Sequence, residues 1–413
     1  MTFASMSLSG AISALNAGGI ALQGLGFNRP KLDTGTLIEA ARQRTGLENF
    51  GAWAFEEPLQ RLMRAYREEA DLTMLGRLTV RELIVSLLEN LLLMEADREG
   101  NPAIEHEAIA APVFIIGLPR TGTTLLHGLL TEDTATRAPL TWEVMYPAGF
   151  EPLPAEIRRI RARTANRLTW ANRLAPEFKR IHPIAPDLAQ ECIAITANVF
   201  MSIQFHTTHR VPSYQTWFES TDQGLAYDFH YRFLQQLQSR GAGRRWVLKA
   251  PGHLFGLRAL LQRYPDAKII QTHRDPLRVM ASMASHATVL RRAFSNAARP
   301  AEIAADWTAR WAGALDEFLA VRDAAPAGQF YDLSYEDIER RPIEAVERSY
   351  DFLGWKLTDE ARRAMQAFLA ANPKNKHGAH RYSLAQFGLD AAHEQARFAA
   401  YCERFQIPVS AHR

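Results

Sequence analysis

Arg120, Thr121, Gly122, Thr123 and Thr124 are the residues of this sequence whose types and spacing suit chemistry. They follow the apolar run Val113 to Ile116 and precede Leu125, Leu126, Leu129 and Leu130. The run has the β-branched and aromatic make-up of a buried strand, and the leucines fall at helical spacing, so the polar group occupies a strand–loop–helix turn. Gly117 and Gly122 let such a loop turn tightly, so that successive N–H groups and the positive end of the helix converge on one phosphate-like anion. The spacing is that of the nucleotide loop Gly-x-x-x-x-Gly-Lys-Ser/Thr, with Thr123 where that motif has its lysine. A nucleoside triphosphatase places that lysine on the β- and γ-phosphates, and without it the chemistry loses a main electrostatic support. Here the cation stands inside the loop, as Arg120.

A second anion site is readable further on. Lys268 to His273 reads as a strand, Arg274-Asp275 as a charged turn, and Pro276 as a helix start. A helix beginning there carries Ser282 on its second turn, so Arg274 and Ser282 can close on one phosphate with charge-assisted hydrogen bonds. His273-Arg274-Asp275 is not a kinase catalytic loop, because Met280 stands where that loop needs a metal-binding asparagine. Lys249 ends another strand, Arg245 to Lys249, and Ala250-Pro251-Gly252-His253 turns into a helix start at the same sheet edge. A lysine snorkelling to solvent is the competing reading there. His253 has the chemistry to take a proton near neutral pH.

The segment Pro119-Arg120-Thr121-Gly122-Thr123-Thr124 resembles the 5′-phosphosulfate loop of sulfotransferases that use 3′-phosphoadenylyl sulfate (PAPS), whose pattern is Pro-Lys/Arg-Ser/Thr-Gly-Thr-Thr. The resemblance runs through about residues 113 to 355 in four ordered pieces. It implies that Arg120, Thr121, Gly122, Thr123 and Thr124 hold the 5′-phosphosulfate and that Arg274 and Ser282 hold the 3′-phosphate. In Tyr331-Asp332-Leu333-Ser334-Tyr335-Glu336-Asp337 it implies that Tyr335 meets the adenine. Lys249 matches the family's lysine near the transferring group. His253 lies four residues beyond it, where the family's histidine lies two beyond, so three candidates stand for the base: His253, then Glu143 at about the position of a catalytic glutamate in Golgi-type sulfotransferases, then Glu191. The loose cationic segment Lys374 to Tyr382 resembles a late loop that closes over the nucleotide, and a solvated loop is an equal reading of it. The implied reaction moves a sulfuryl group from PAPS to a hydroxyl, less readily an amine, of a small apolar acceptor, releasing 3′-phosphoadenosine 5′-phosphate without a metal. A P-loop kinase or nucleoside triphosphatase, and a nucleotide-binding scaffold without turnover, are the competing classes.

The elements that must position these residues follow from pattern. Strands at Val113 to Ile116, Arg245 to Lys249, Lys268 to His273 and Gln329 to Leu333 alternate with helical stretches, which implies an α/β fold with a mainly parallel sheet covered on both faces. A P-loop three-layer core follows from the resemblance. Residues 1–110 read as a helical N-terminal extension, with apolar periodicity in Phe55 to Tyr66 and Leu83 to Met94 and a capping box at Thr79 and Glu82. The α/β domain then spans 111–413, with a helical insertion at about 150–240 suited to an acceptor pocket. Within the insertion Arg158, Arg159, Arg161, Arg163, Arg167, Arg173, Lys179 and Arg180 read as a solvated basic face in preference to a surface for acidic substrate or anionic lipid. Phe200, Phe205, Tyr214, Trp217 and Phe218 read as core.

Composition agrees. With 413 residues, 47% hydrophobic, a net charge of +3 and a pI near 8.8, the chain is an ordinary globular sequence, too mildly basic to call for nucleic acid. Cys192 and Cys402 give neither a disulfide framework nor a zinc pattern, which points to a reducing cytoplasm. Met1 to Phe27 lacks the basic flank of a signal peptide, and no apolar run reaches spanning length. A homo-oligomer stays open.

Overall fold

The computed structural model describes residues 30–174, 184–241, 245–292, 294–372 and 383–408. Five strands, β1 (Val113–Gly117), β2 (Thr136–Arg137), β3 (Arg245–Lys249), β4 (Lys268–His273) and β5 (Phe330–Ser334), form one sheet in the order β2-β3-β1-β4-β5. Every pairing is parallel, so all five strands deliver their C-terminal ends to one edge. The bounds expected for β3 and β4 hold, and β5 is shifted by one residue. β2 is too short to leave a sequence pattern.

Both faces of the sheet are buried, as its apolar strands require. Phe114, Ile116, Leu248 and Ile269 point into one core, while Val113, Ile115, Val247 and Ile270 point into the other. This alternation is the period-two geometry of a strand read from a central position. Helix α4 (Thr123–Leu130) presses Leu126, Leu129 and Leu130, all fully buried, onto the second face. Truncating any one of them to alanine costs about 2–5 kcal/mol.

From residue 30 the described N-terminal region is helical, in α1 (Thr34–Thr45), α2 (Glu56–Glu68) and α3 (Met74–Gly100). One expectation fails. The cap of α3 is Thr73, whose hydroxyl accepts the Gly76 N–H at 3.1 Å, and Thr79 lies inside the helix with its hydroxyl on the Gly76 carbonyl. Glu82 makes an ion pair with Arg44 of α1 instead of capping. The helix runs further back because Leu75 and Gly76, ahead of the motif, are buried and extend its packed face.

Within 150–240 the described chain is mostly helical, including α5 (Thr141–Met145) just before it, α6 (Pro154–Leu174), α7 (Cys192–Thr196) and α8 (Gly224–Gln238). Phe200, Phe205, Tyr214 and Phe218 are core, with Trp217 packed against it. After β4 come α9 (Pro276–Arg292) and α10 (Pro300–Asp323), and after β5 comes α11 (Tyr335–Arg340). Among the described residues no helix is long and apolar enough to cross a membrane. The segment 374–382 and the side chains of Arg173, Lys179 and Arg180 lie outside the described residues.

Candidate active site

The loop between β1 and α4 is shaped by its backbone. Gly117 has φ 145° and a Cβ there would sit 2.4 Å from the Thr272 hydroxyl, so only glycine fits. Gly122 has φ 89° at the N-cap of α4, with no side chain capping the helix. Arg120 also takes a positive φ, 66°, an uncommon state for a residue with a Cβ. Two left-handed residues so close together turn successive N–H groups toward one side, the arrangement that binds anions. The first backbone bond of α4 runs from Leu126 N–H to the Gly122 carbonyl, so the N–H groups of Thr123, Thr124 and Leu125 precede the ladder as open donors.

Thr121 is fully buried and serves the loop's shape. Its hydroxyl donates to the Leu118 carbonyl at 2.6 Å and shares a 2.6 Å hydrogen bond with the Thr272 hydroxyl of β4. Thr272 has no motif of its own, and sequence reasoning misses it. Thr124, by contrast, is exposed at the start of α4.

Lys249, at the tip of β3, reaches this point. Its ammonium donates to the Thr124 hydroxyl at 3.3 Å and pairs with the Glu191 carboxylate, although Lys249 is only 2% exposed. Glu191 arrives from the insertion, at the start of α7. The preceding chain is held to α5: Ala189 bridges Leu140, and the Gln190 N–H donates to the Pro139 carbonyl at 2.8 Å.

The other two candidates for the base lie elsewhere. His253 is 3% exposed and sits beneath the sheet among Phe114, Tyr227 and His230, sharing a 2.9 Å hydrogen bond with the Tyr227 hydroxyl through Nδ1. Burial, then His230 and the charge of Lys249, hold its pKa well below the usual value. Glu143 has both oxygens committed, one to Arg137 at 3.1 Å and the other to the Leu140 N–H at 2.9 Å, which caps α5. The loop after β3 turns His253 inward; the capping geometry of α5 occupies Glu143.

At the other end of the sheet edge, Arg274, Arg120 and Tyr335 meet. Arg274 donates to the Arg120 carbonyl at 2.7 Å, and its guanidinium lies 3.9 Å from the centre of the Tyr335 ring, a cation–π contact. The Tyr335 hydroxyl donates to Glu339 at 2.6 Å. Burial lowers the pKa of Arg274, with Tyr335 and Glu339 opposing that effect. Beyond lies a cavity of about 610 Å³, lined among others by Arg274, Arg278, Tyr335, Arg340 and Phe405. Ser282 is half-buried on the second turn of α9, as expected, but is not among the lining side chains.

The cavity has a wall no motif announced. Phe405 to Pro408, near the end of the chain, close its side. They are held by His273, which stacks on Phe405 at 4.2 Å and bonds Tyr401 at 2.8 Å and Asp332 at 2.7 Å. Asp332 also receives Arg322 through both oxygens; burial raises its pKa, but the bonds from His273 and Arg322 win and bring it down to about 2.

A glycine loop with open N–H groups, a lysine of β3 against the start of the loop's helix and an arginine-lined cavity accompany a direct match: the sequence model described as "Sulfotransferase family" covers residues 112–359. The chain belongs to the sulfotransferase family. The omega-hydroxy-beta-dihydromenaquinone-9 sulfotransferase Stf3 of Mycobacterium bovis is 26% identical to this sulfotransferase-family chain over 263 residues, 62% of this chain and 66% of that protein. The match thus spans about two thirds of the length of that curated relative. The crystal structure of sulfotransferase STF1 from Mycobacterium tuberculosis H37Rv has a TM-score of 0.79 at 33% identity, covering 90% of this chain and 100% of that one. STF9 from Mycobacterium avium, at 24% identity, shares the fold with a TM-score of 0.80 over 94% of this chain and 100% of its own.

Proposed function

We propose that this protein transfers the sulfuryl group of PAPS to a hydroxyl of a small apolar acceptor, releasing 3′-phosphoadenosine 5′-phosphate. The observation that carries the reading is the meeting of Lys249, Thr124 and Glu191 at the open start of α4. The residues present suit such a donor: open N–H groups and Arg120 for the 5′-phosphosulfate, Arg274 for the 3′-phosphate and the Tyr335 ring for the adenine, with Ser282 outside the cavity lining. The named acceptor of Stf3, an apolar molecule with a terminal hydroxyl, favours an acceptor of that kind here. Family membership and the two free thiols, Cys192 and Cys402, favour a cytoplasmic reaction.

Of the three candidate bases we assign Glu191, because its carboxylate pairs with Lys249, which also reaches Thr124, whereas His253 is turned inward and Glu143 caps α5. Glu191 takes the proton of the acceptor hydroxyl as its oxygen bonds to sulfur and the bond from sulfur to the 5′-phosphate oxygen breaks. Lys249 and the loop N–H groups stabilise the charge arriving on that phosphate, and positioning supplies much of the acceleration. A screen of alcohols and phenols with labelled PAPS in excess chelator tests the reading. Labelled sulfate ester is expected, together with a larger thermal shift from 3′-phosphoadenosine 5′-phosphate than from ATP. Magnesium-dependent phosphoryl transfer from ATP would overturn it.

A further inference from the structure

We propose that the outer face of α6 docks on an anionic lipid bilayer and holds the protein where a membrane-dissolved acceptor reaches Glu191. The inference rests on the reading above for its acceptor but not for its surface. Between Leu153 and Trp170 the chain has five arginines and one glutamate, a surplus of four positive charges. Ile160 and Thr164 are buried and face the protein, which sends Arg158, Arg159, Ala162, Thr169 and Trp170 outward, all exposed. Arg159 pairs with Glu156 at 2.8 Å along the helix, and Arg161, Arg163 and Arg167 flank this face and are tied down, to Asp187, over the Tyr146 ring and to Ser86.

A merely solvated face needs no apolar side chains. Among the described residues four large hydrophobic side chains stand prominently exposed, and three belong here: Leu153 at 58%, Trp170 at 61% and Leu188 at 38%. Leu153 precedes α6 and Trp170 lies near its other end, so apolar groups bracket the arginines. That combination suits the headgroup layer, where aromatic and aliphatic groups insert while arginines pair with lipid phosphate. A nucleic acid offers the same phosphates but no place for Leu153 and Leu188.

The face is also joined to the site. Arg161 of α6 binds Asp187 at 2.9 Å, and the Thr141 and Trp142 N–H groups of α5 donate to the Leu188 and Pro186 carbonyls at 3.0 and 3.1 Å. Four residues beyond Asp187 stands Glu191. An acceptor whose hydroxyl rises from the bilayer beside Leu188 therefore meets the segment that carries the base.

Co-sedimentation of the full chain with vesicles, with neither donor nor acceptor present, tests the docking. Binding to vesicles of phosphatidylglycerol and phosphatidylcholine, weakened by salt, is expected, with little binding to phosphatidylcholine alone. The double change R158Q/R159Q should weaken binding about 10- to 30-fold, and W170A should weaken it without altering its salt dependence. All variants should keep parent turnover on a short, water-soluble alcohol. Equal binding to both vesicle types, indifference to R158Q/R159Q, or tighter binding to a DNA duplex than to the anionic vesicle would overturn the proposal. Because binding is read without turnover, failed docking leaves sulfuryl transfer standing, and failed transfer leaves docking standing.

Discussion

Lys249 and His253 lie at the end of β3 within one turn of chain, and at 2% and 3% exposure they are equally buried. Their partners separate them. Lys249 faces a carboxylate and a hydroxyl at the start of the loop helix. His253 faces aromatic rings and a tyrosine hydroxyl, so burial removes its charge. Neighbours in sequence thus meet different surroundings, and the partner each side chain finds sets them apart.

The largest expected effect tests this contrast directly. Glu191→Gln should lower kcat by about 10²- to 10⁴-fold, while His253→Asn leaves kcat near the parent and costs about 1–3 kcal/mol of stability from its broken hydrogen bond. Single-turnover rates with labelled PAPS measure both, with the thermal shift by 3′-phosphoadenosine 5′-phosphate confirming a folded site. Parent-like turnover in the Glu191 variant would move the base elsewhere.

The cavity end of the site should behave differently. Arg274→Ala removes a charged hydrogen bond and the contact with Tyr335, so the Kd for 3′-phosphoadenosine 5′-phosphate should rise about 10- to 100-fold. At saturating donor, kcat should stay close to parent. A fall in kcat without weaker binding would place Arg274 at the reacting end instead.

Acid sharpens the contrast through other buried histidines. Burial, joined for His127 by the Lys249 charge and for His209 by Arg291, pushes His127, His209 and His230 down to about 3. Unfolded histidine titrates near 6.5. Below that pH the unfolded chain takes protons that the folded chain refuses, so stability is full above about 6.5 and falls with pH toward 3, by roughly 1.4 kcal/mol per unit for each histidine. Denaturant melts at pH 7.5 and 5.0 read this loss. Equal stability at the two values would mean that these groups titrate in place.

The smallest effect is assigned to the remaining glutamate. Glu143→Gln weakens the pair with Arg137 and the cap of α5, costing about 1 kcal/mol, and turnover should stay near parent. A large loss of kcat there would reopen Glu143 as the base.

The anion loop was legible because its chemistry is local: glycines, hydroxyls and an arginine within eight residues, between a strand pattern and a helix pattern. Strands β3 and β4 were legible for the same reason, from the short apolar stretches Trp246 to Leu248 and Ile269 to Ile270 within them. The start of α3 was misplaced because Thr79 and Glu82 satisfy a capping pattern, while the burial of Leu75 and Gly76 carries the helix back past it. Glu191 ranked third among the bases, since nothing nearby in sequence marks it.

Local pattern determined the fold class, the glycine loop proposed to receive an anion and the arginine that follows β4, because each depends on residues within a turn or two of one another. Tertiary structure decided which acid stands beside Lys249 and which histidine is buried. It also placed the C-terminal Phe405 against the cavity. Those choices depend on Thr124, Glu191 and Lys249, or on His273, Asp332 and Phe405, meeting across long stretches of chain. Only the packing of the sheet edge brings them together.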